Sequence, residues 1–171
     1  MRILLAVPRS FNPKQMYREY PLGVGFLGTI LSRGGHEVRL YDENVEVSQG
    51  WSLVDEMEKF HPDIVGFSII TPNYPVARRQ IRAIKAGYPA MRILAGGVHT
   101  SLFPEDIIAD GADVVVRGEG EGVIAEIVDG LQRGEMPGAR QGVVYRGPDG
   151  KVTGEGSWAP RWGEMDWPNA R

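Results

Sequence analysis

The chain has 171 residues, a length that suits one domain with a short extension. Apolar residues make up 42% and charged ones 24%, enough for a packed core, and a net charge of −3 with a pI near 5.7 offers no basic stripe for nucleic acid. There is no cysteine, which excludes disulfides, thiolate catalysis, iron–sulfur clusters and cysteine zinc sites within these residues.

Arg2 to Pro8 reads as a first strand. Its apolar run is too short for a signal peptide and no small-residue cleavage site follows, so a buried strand and a cytoplasmic protein are expected. A polar loop, Arg9 to Tyr20, leads to a helix that Pro21 opens and Gly34-Gly35 ends. Proline at a first helical position and glycine past the last are the usual punctuation. Glu37 to Asp42 is a second strand. Trp51 to Phe60 has helical spacing, with Leu53, Val54, Met57 and Phe60 on one side. Asp63 to Thr71 is nearly all apolar, which predicts a strand covered on both faces, as in a parallel sheet. A helix over Tyr74–Gly87, a strand over Met91–Ala95 and a short helix over Pro104–Asp110 follow. Asp113–Arg117 and Glu121–Arg133 complete the series as strand and helix. No apolar run is long enough to span a membrane.

Five strands alternating with helices predict an α/β domain over residues 1–133: a doubly wound, five-stranded parallel sheet of Rossmann or flavodoxin type, with helices on both faces. Residues 134–171 form a second segment. Gln141–Arg146 and Lys151–Thr153 flank Gly147-Pro148-Asp149-Gly150, a turn sequence that predicts a β-hairpin. Gly154 to Arg171 is rich in Gly, Pro and Trp without periodicity and reads as a linker or extended tail.

In sheets of this kind ligands bind at the carboxyl ends of the strands, near the switch in strand order. Those ends carry Pro8-Arg9-Ser10, Ser68-Ile69-Ile70-Thr71-Pro72-Asn73-Tyr74, Gly96-Gly97-Val98-His99-Thr100 and Arg117-Gly118-Glu119-Gly120-Glu121. A βα turn needs glycine in any case, so a single glycine carries little. Small residues and hydroxyls at three of four ends together point to a bound ligand, because glycine lets it approach the backbone.

Other sites on this fold fit less well. Gly23-Val24-Gly25-Phe26-Leu27-Gly28 matches the dinucleotide glycine pattern, but a long loop separates it from the first strand, so helix–sheet packing is its expected role. A phosphoreceiver would want aspartate at the end of strand three and lysine after strand five, where Ser68 and Arg117 stand. His36 and His61 fall in helix-to-strand turns and are expected at the surface. His99 lies on the ligand edge, where it either donates to a cofactor or fills the loop. It has no companion histidine or cysteine for a zinc site, and no nucleophile–base–acid set can be assembled.

Pro21-Leu22-Gly23-Val24-Gly25-Phe26-Leu27, Pro62-Asp63-Ile64-Val65-Gly66-Phe67-Ser68, Thr71-Pro72, Gly96-Gly97-Val98-His99 and Arg117-Gly118-Glu119-Gly120-Glu121 occur in that order. The ordered set resembles the N-terminal cobalamin-binding domain of cobalamin-dependent radical SAM enzymes, over roughly Met1 to Arg133 and on through Gly142–Arg146 and Trp158–Pro168. The resemblance implies a corrin lying across the strand ends, with its nucleotide tail buried in the domain. It implies that Ser68 hydrogen-bonds the tail base and that Gly96-Gly97 leave room for the tail. Ile70, Thr71, Pro72 and Tyr74 would lie under the corrin, with Pro21, Leu22, Gly23 and His99 nearby. Gly118, Glu119, Gly120 and Glu121 would meet the tail phosphate or ribose, the phosphate favoured by the following helix N-terminus.

Two departures matter. Classical cobalamin domains carry Asp-x-His-x-x-Gly after strand one, and its histidine ligates cobalt; here that loop is Arg9-Ser10-Phe11-Asn12-Pro13-Lys14. The resemblance therefore implies a corrinoid held base-off, its cobalt bound through the corrin with no protein ligand. A radical SAM barrel also needs three cysteines, so this chain is expected to hold hydroxo-, methyl- or adenosylcobalamin for another polypeptide and not to be an enzyme by itself. The alternatives are a flavin or nucleotide site and a protein-interaction domain. A flavin would want a hydroxyl-rich loop after strand one, where Arg9 to Lys14 offers only Ser10. Trp158, Trp162 and Trp167 in the tail make self-association an expectation to test.

Overall fold

Ile3, Leu4, Leu5 and Ala6 are consecutive and all buried, which requires cover on both faces of their strand, β1 (Arg2–Val7). The computed structural model describes residues 1–10, 20–46, 50, 52–138 and 141–154, and it supplies that cover. One cluster packs Leu4, Ala6, Val65 and Phe67 against α3 (Leu53–Phe60), α4 (Tyr74–Gly87) and α6 (Pro104–Asp110). The other packs Ile3, Leu5, Ile64 and Leu94 against α1 (Leu22–Arg33) and α7 (Ile124–Gln132). Each such Leu, Ile, Val or Phe side chain, fully buried, contributes about 1.5–3 kcal/mol.

The remaining strands are β2 (Glu37–Asp42), β3 (Ile64–Ser68), β4 (Arg92–Gly96), β5 (Val114–Val116), β6 (Val143–Arg146) and β7 (Val152–Gly154), in the order β2-β1-β3-β4-β5-β6-β7. The first five are parallel, and their order reverses between β1 and β3. This corrects the five-stranded expectation. The hairpin does not stand apart from the sheet; β6 pairs antiparallel with β5, Val115 opposite Val144, and extends it to seven strands. Val143 and Val144 are buried, and that burial draws the hairpin to the otherwise open edge of β5.

Three short elements were not anticipated: α2 (Glu43–Glu46), a 3-10 turn over Thr71–Asn73 and α5 (Val98–Leu102). Two boundaries moved for identifiable reasons. Helix α3 starts at Leu53 because Ser52 and Asp55 form a reciprocal capping box, 3.2 and 3.0 Å. Strand β3 stops at Ser68 because the buried Asn73 accepts from Ile70 N–H at 2.9 Å and donates to Ser68 C=O at 3.2 Å, curling the chain. His61 is exposed, as expected, and caps α3 in the left-handed region at φ 47°. His36 is not at the surface. Its ring is buried between the Met1 amino group, 3.3 Å from Nδ1, and the Asp129 carboxylate, 3.3 Å from Nε2. The expected loop after β1, Trp51 and the tryptophan-containing tail lie largely or wholly outside the described residues.

Candidate functional site

Strand β3 places Gly66 where its neighbours carry large apolar side chains. A Cβ there would come within 2.8 Å of Leu5 Cδ2. Glycine in a strand interior is unfavourable and commonly marks a close approach. Above it, α1 and α7 leave a cavity of about 250 Å³ against the sheet. Its floor is Ile3, Leu5, Gly66, Leu94 and Val116, and its walls include Leu27, Leu31 and Ile124. Its mouth is at the carboxyl ends of β3, β4 and β5, with Ser68, Gly96 and Gly97 on one side and Gly118 to Glu121 on the other. This is beside the reversal between β1 and β3, where doubly wound sheets bind ligands.

Gly23, Ser68, Gly96, Gly97, Gly118, Glu119, Gly120 and Glu121, all anticipated, therefore meet around one cavity. The two paired glycines have different reasons. A Cβ on Gly96 would have nothing closer than Val116 C=O at 4.0 Å, so it would stand in open space. A Cβ on Gly97, at φ 111°, would lie 2.5 Å from Ile69 C=O, so the chain's own path demands glycine there. Gly28 touches Leu5 and Val38 at 3.7 Å from its Cβ position, the helix–sheet packing expected of the glycine pattern. The β5–α7 loop is held from α5: Ser101 Oγ accepts from Gly118 N–H at 2.9 Å.

The other anticipated residues do not line this cavity. Thr71, Tyr74 and His99 form a cluster of their own at the same edge. Thr71 Oγ1 is 3.2 Å from His99 Nδ1, and the imidazole lies between Tyr74 and Phe103, ring centroids 4.2 and 5.0 Å away. His99 Nε2 is buried with no hydrogen-bond partner among the described residues. Burial pushes the His99 pKa below 6.5, with the Asp106 charge opposing, so the ring is held neutral. Tyr74 is anchored by its hydroxyl, which donates to Asp110 at 2.8 Å. Burial, then that hydrogen bond, pushes its phenol up to about 12. Pro21 precedes α1, the Leu22 side chain is exposed, and Ile70 and Pro72 sit half-buried on the edge. Sequence reasoning missed the apolar floor and Asn73, which also donates to Pro8 C=O at 3.1 Å and so joins the ends of β1 and β3. The glycine inside the apolar β3 run was the available signal for the floor.

Fold and site together define a flavodoxin-like ligand-binding domain with a deep apolar shaft at its switch point. The chain belongs to the B12 binding domain family, which it matches over residues 15–128, and its cofactor is cobalamin. It is 30% identical over 162 residues to an anaerobic magnesium-protoporphyrin IX monomethyl ester cyclase from Rubrivivax gelatinosus, covering 86% of this chain and 29% of the cyclase. Its fold is similar to that of the radical S-adenosylmethionine methyltransferase TsrM from Kitasatospora setae, solved with cobalamin and a [4Fe-4S] cluster bound. The TM-score is 0.70 at 21% identity, over 87% of this chain and 28% of TsrM. A cobalamin-binding protein from Desulfitobacterium hafniense has a TM-score of 0.56 at 23% identity, over 77% of this chain and 57% of that one. The chain thus spans under a third of the cyclase and of TsrM. Among the described residues no helix is long and apolar enough to cross a membrane.

Proposed function

We propose that this domain holds cobalamin base-off, with its nucleotide tail in the cavity between α1 and α7, and presents the corrin at the strand ends to a radical SAM or methyl-transfer partner. The observation that carries the reading is the apolar shaft opening beside Gly96, where the absent side chain leaves room. Ser68 at the mouth offers a hydroxyl to the tail base. The backbone N–H groups of Gly120 and Glu121 suit the tail phosphate, and the Glu119 and Glu121 carboxylates suit ribose hydroxyls. The half-buried Ile70 and Pro72 with the exposed Thr71, curled back by Asn73, provide a ledge under the ring. No histidine occurs between Arg9 and Tyr20, so no imidazole from that loop reaches the cobalt.

Bound cobalamin supplies a cobalt centre that carries a methyl group or electrons. This chain's residues bind and orient it and shield its tail from water. With no cysteine in the 171 residues, a radical SAM cluster in this reading belongs to another segment or another chain. Exposed apolar side chains at the same edge, Val98 (63%), Leu102 (54%) and Phe103 (47%), support a partner docking there. A cytoplasmic location is part of the same proposal.

The test is the visible spectrum after mixing the chain with hydroxocobalamin and removing unbound cofactor. Retained absorbance in the base-off form is expected. A retained base-on spectrum would overturn the tail-in geometry, and no retained corrin would overturn the module itself.

A further inference from the structure

We infer that the shaft between α1 and α7 selects among corrinoids by their tail base: it takes an apolar aromatic base of the benzimidazole kind and discriminates against a purine. The inference rests on the corrinoid reading above and adds to it a specificity built into this chain.

The register sets the depth of the shaft. Ile3 pairs with Ile64 and Ala6 with Phe67, so Ser68 at the mouth lies level with Val7, four residues beyond Ile3 on the floor. At roughly 3.3 Å per residue the shaft runs about 13 Å down the sheet. Its volume of about 250 Å³ is many times the ~10–15 Å³ that admits one water and falls short of the roughly 300–1,000 Å³ of pockets for whole drug-sized ligands. It suits a bicyclic ring, not a corrin.

The polar groups are unevenly placed. Among the described residues the polar side chains of the lining are Ser68, Glu119 and Glu121, and all three are at the mouth. Below them the lining is Ile3, Leu5, Leu31 and Leu94. The strand backbone offers little, because β1, β3 and β4 pair on both sides within the parallel sheet. A benzimidazole released from cobalt has one ring nitrogen in need of a donor, and the Ser68 hydroxyl can serve it. A purine brings further ring nitrogens and, in adenine, an exocyclic amine. Those would be stripped of water against leucine and isoleucine. Each polar group left so costs about ten- to a hundredfold in affinity.

Gly96 provides the means of test. Its Cβ position is open on the cavity side, and a β-branched residue is at home in a strand. Gly96→Val would therefore put its branched side chain into the mouth.

The experiment measures dissociation constants of the full chain, by corrin absorbance, for three corrinoids: cobalamin, its adeninyl analogue, and cobinamide, which has no nucleotide. Cobalamin should bind at least tenfold more tightly than the adeninyl form. Gly96→Val should weaken cobalamin at least tenfold more than it weakens cobinamide. Equal affinity for the two complete corrinoids overturns the selection while the corrinoid reading stands. Equal affinity for cobalamin and cobinamide, or a Gly96→Val chain that holds cobalamin as before, shows that the tail does not use the shaft and overturns it too. Retention of none of the three removes the corrinoid reading and this inference with it.

Discussion

The Thr71 hydroxyl stands 3.2 Å from Nδ1 of His99, and this contact joins the turn after β3 to α5 at the carboxyl edge of the sheet. The imidazole is clamped between Tyr74 and Phe103, and its other nitrogen is buried without a partner among the described residues. Burial holds its pKa below 6.5, so the unfolded chain takes up a proton that the folded chain resists. Stability from this residue is complete above about 6.5 and is lost as pH falls through 6.5 toward the folded value. Urea midpoints at about pH 7.5 and about pH 5.5 should differ more for the wild type than for His99→Gln. Equal differences would remove His99 as the cause.

Neighbouring glycines should respond in opposite ways. Gly97 has φ 111° and ψ 179°, a region nearly closed to other residues, and a Cβ would press on Ile69 C=O. Gly97→Ala should cost about 2 kcal/mol or more in a urea titration. Gly96→Ala adds a methyl to open space and should leave stability within about 0.5 kcal/mol.

Asp110 is 5% exposed and accepts from Tyr74 OH at 2.8 Å, Arg78 Nε at 3.1 Å and Arg82 Nε at 2.9 Å. Arg78 and Arg82 are about half exposed and can return to water, whereas the Tyr74 hydroxyl loses its acceptor. Asp110→Ala should therefore destabilise by about 2 kcal/mol, below the range for a wholly buried ion pair. Asp110→Asn should also bring the Tyr74 phenol down from about 12 toward 10, visible in an alkaline absorbance titration.

Ligand linkage gives a further check. A cofactor that binds only the folded chain, at a hundred times its dissociation constant, stabilises by about 2.7 kcal/mol. For a domain of this size cobalamin should raise Tm by roughly 5–10 °C. Ser68→Ala, which removes the hydroxyl at the mouth, should weaken cobalamin roughly three- to tenfold with Tm of the free chain unchanged.

The strands and most helices were legible in the sequence because their signals are local. Unbroken apolar runs at Ile3–Ala6 and Ile64–Phe67 demand two covered faces, and Pro21 and Gly34 mark a helix wherever the rest of the chain goes. The glycine-rich carboxyl ends of β4 and β5 were legible for the same reason: Gly96-Gly97 and Gly118 to Glu121 stand at or just after the ends of apolar runs. His36 was misplaced because its burial comes from Met1 and Asp129, which are distant in sequence. The hairpin was read as a separate feature because β5 and β6 meet only by non-local pairing.

What the sequence determined by itself is the alternating α/β pattern, the residues at the strand ends and, through their order, the likeness to a cobalamin domain. What only the tertiary structure decided is the shaft. Its floor unites Ile3, Gly66, Leu94 and Val116 from four strands, and no local pattern marks these as neighbours. Parallel pairing sets Gly66 between Leu5 and Leu94, Leu5 takes the space that Gly66 leaves, and the missing side chain at Gly96 opens the mouth of the cavity that α1 and α7 close over. The same tertiary context separates the two paired glycines, since Gly97 answers to the nearby Ile69 backbone and Gly96 to open space.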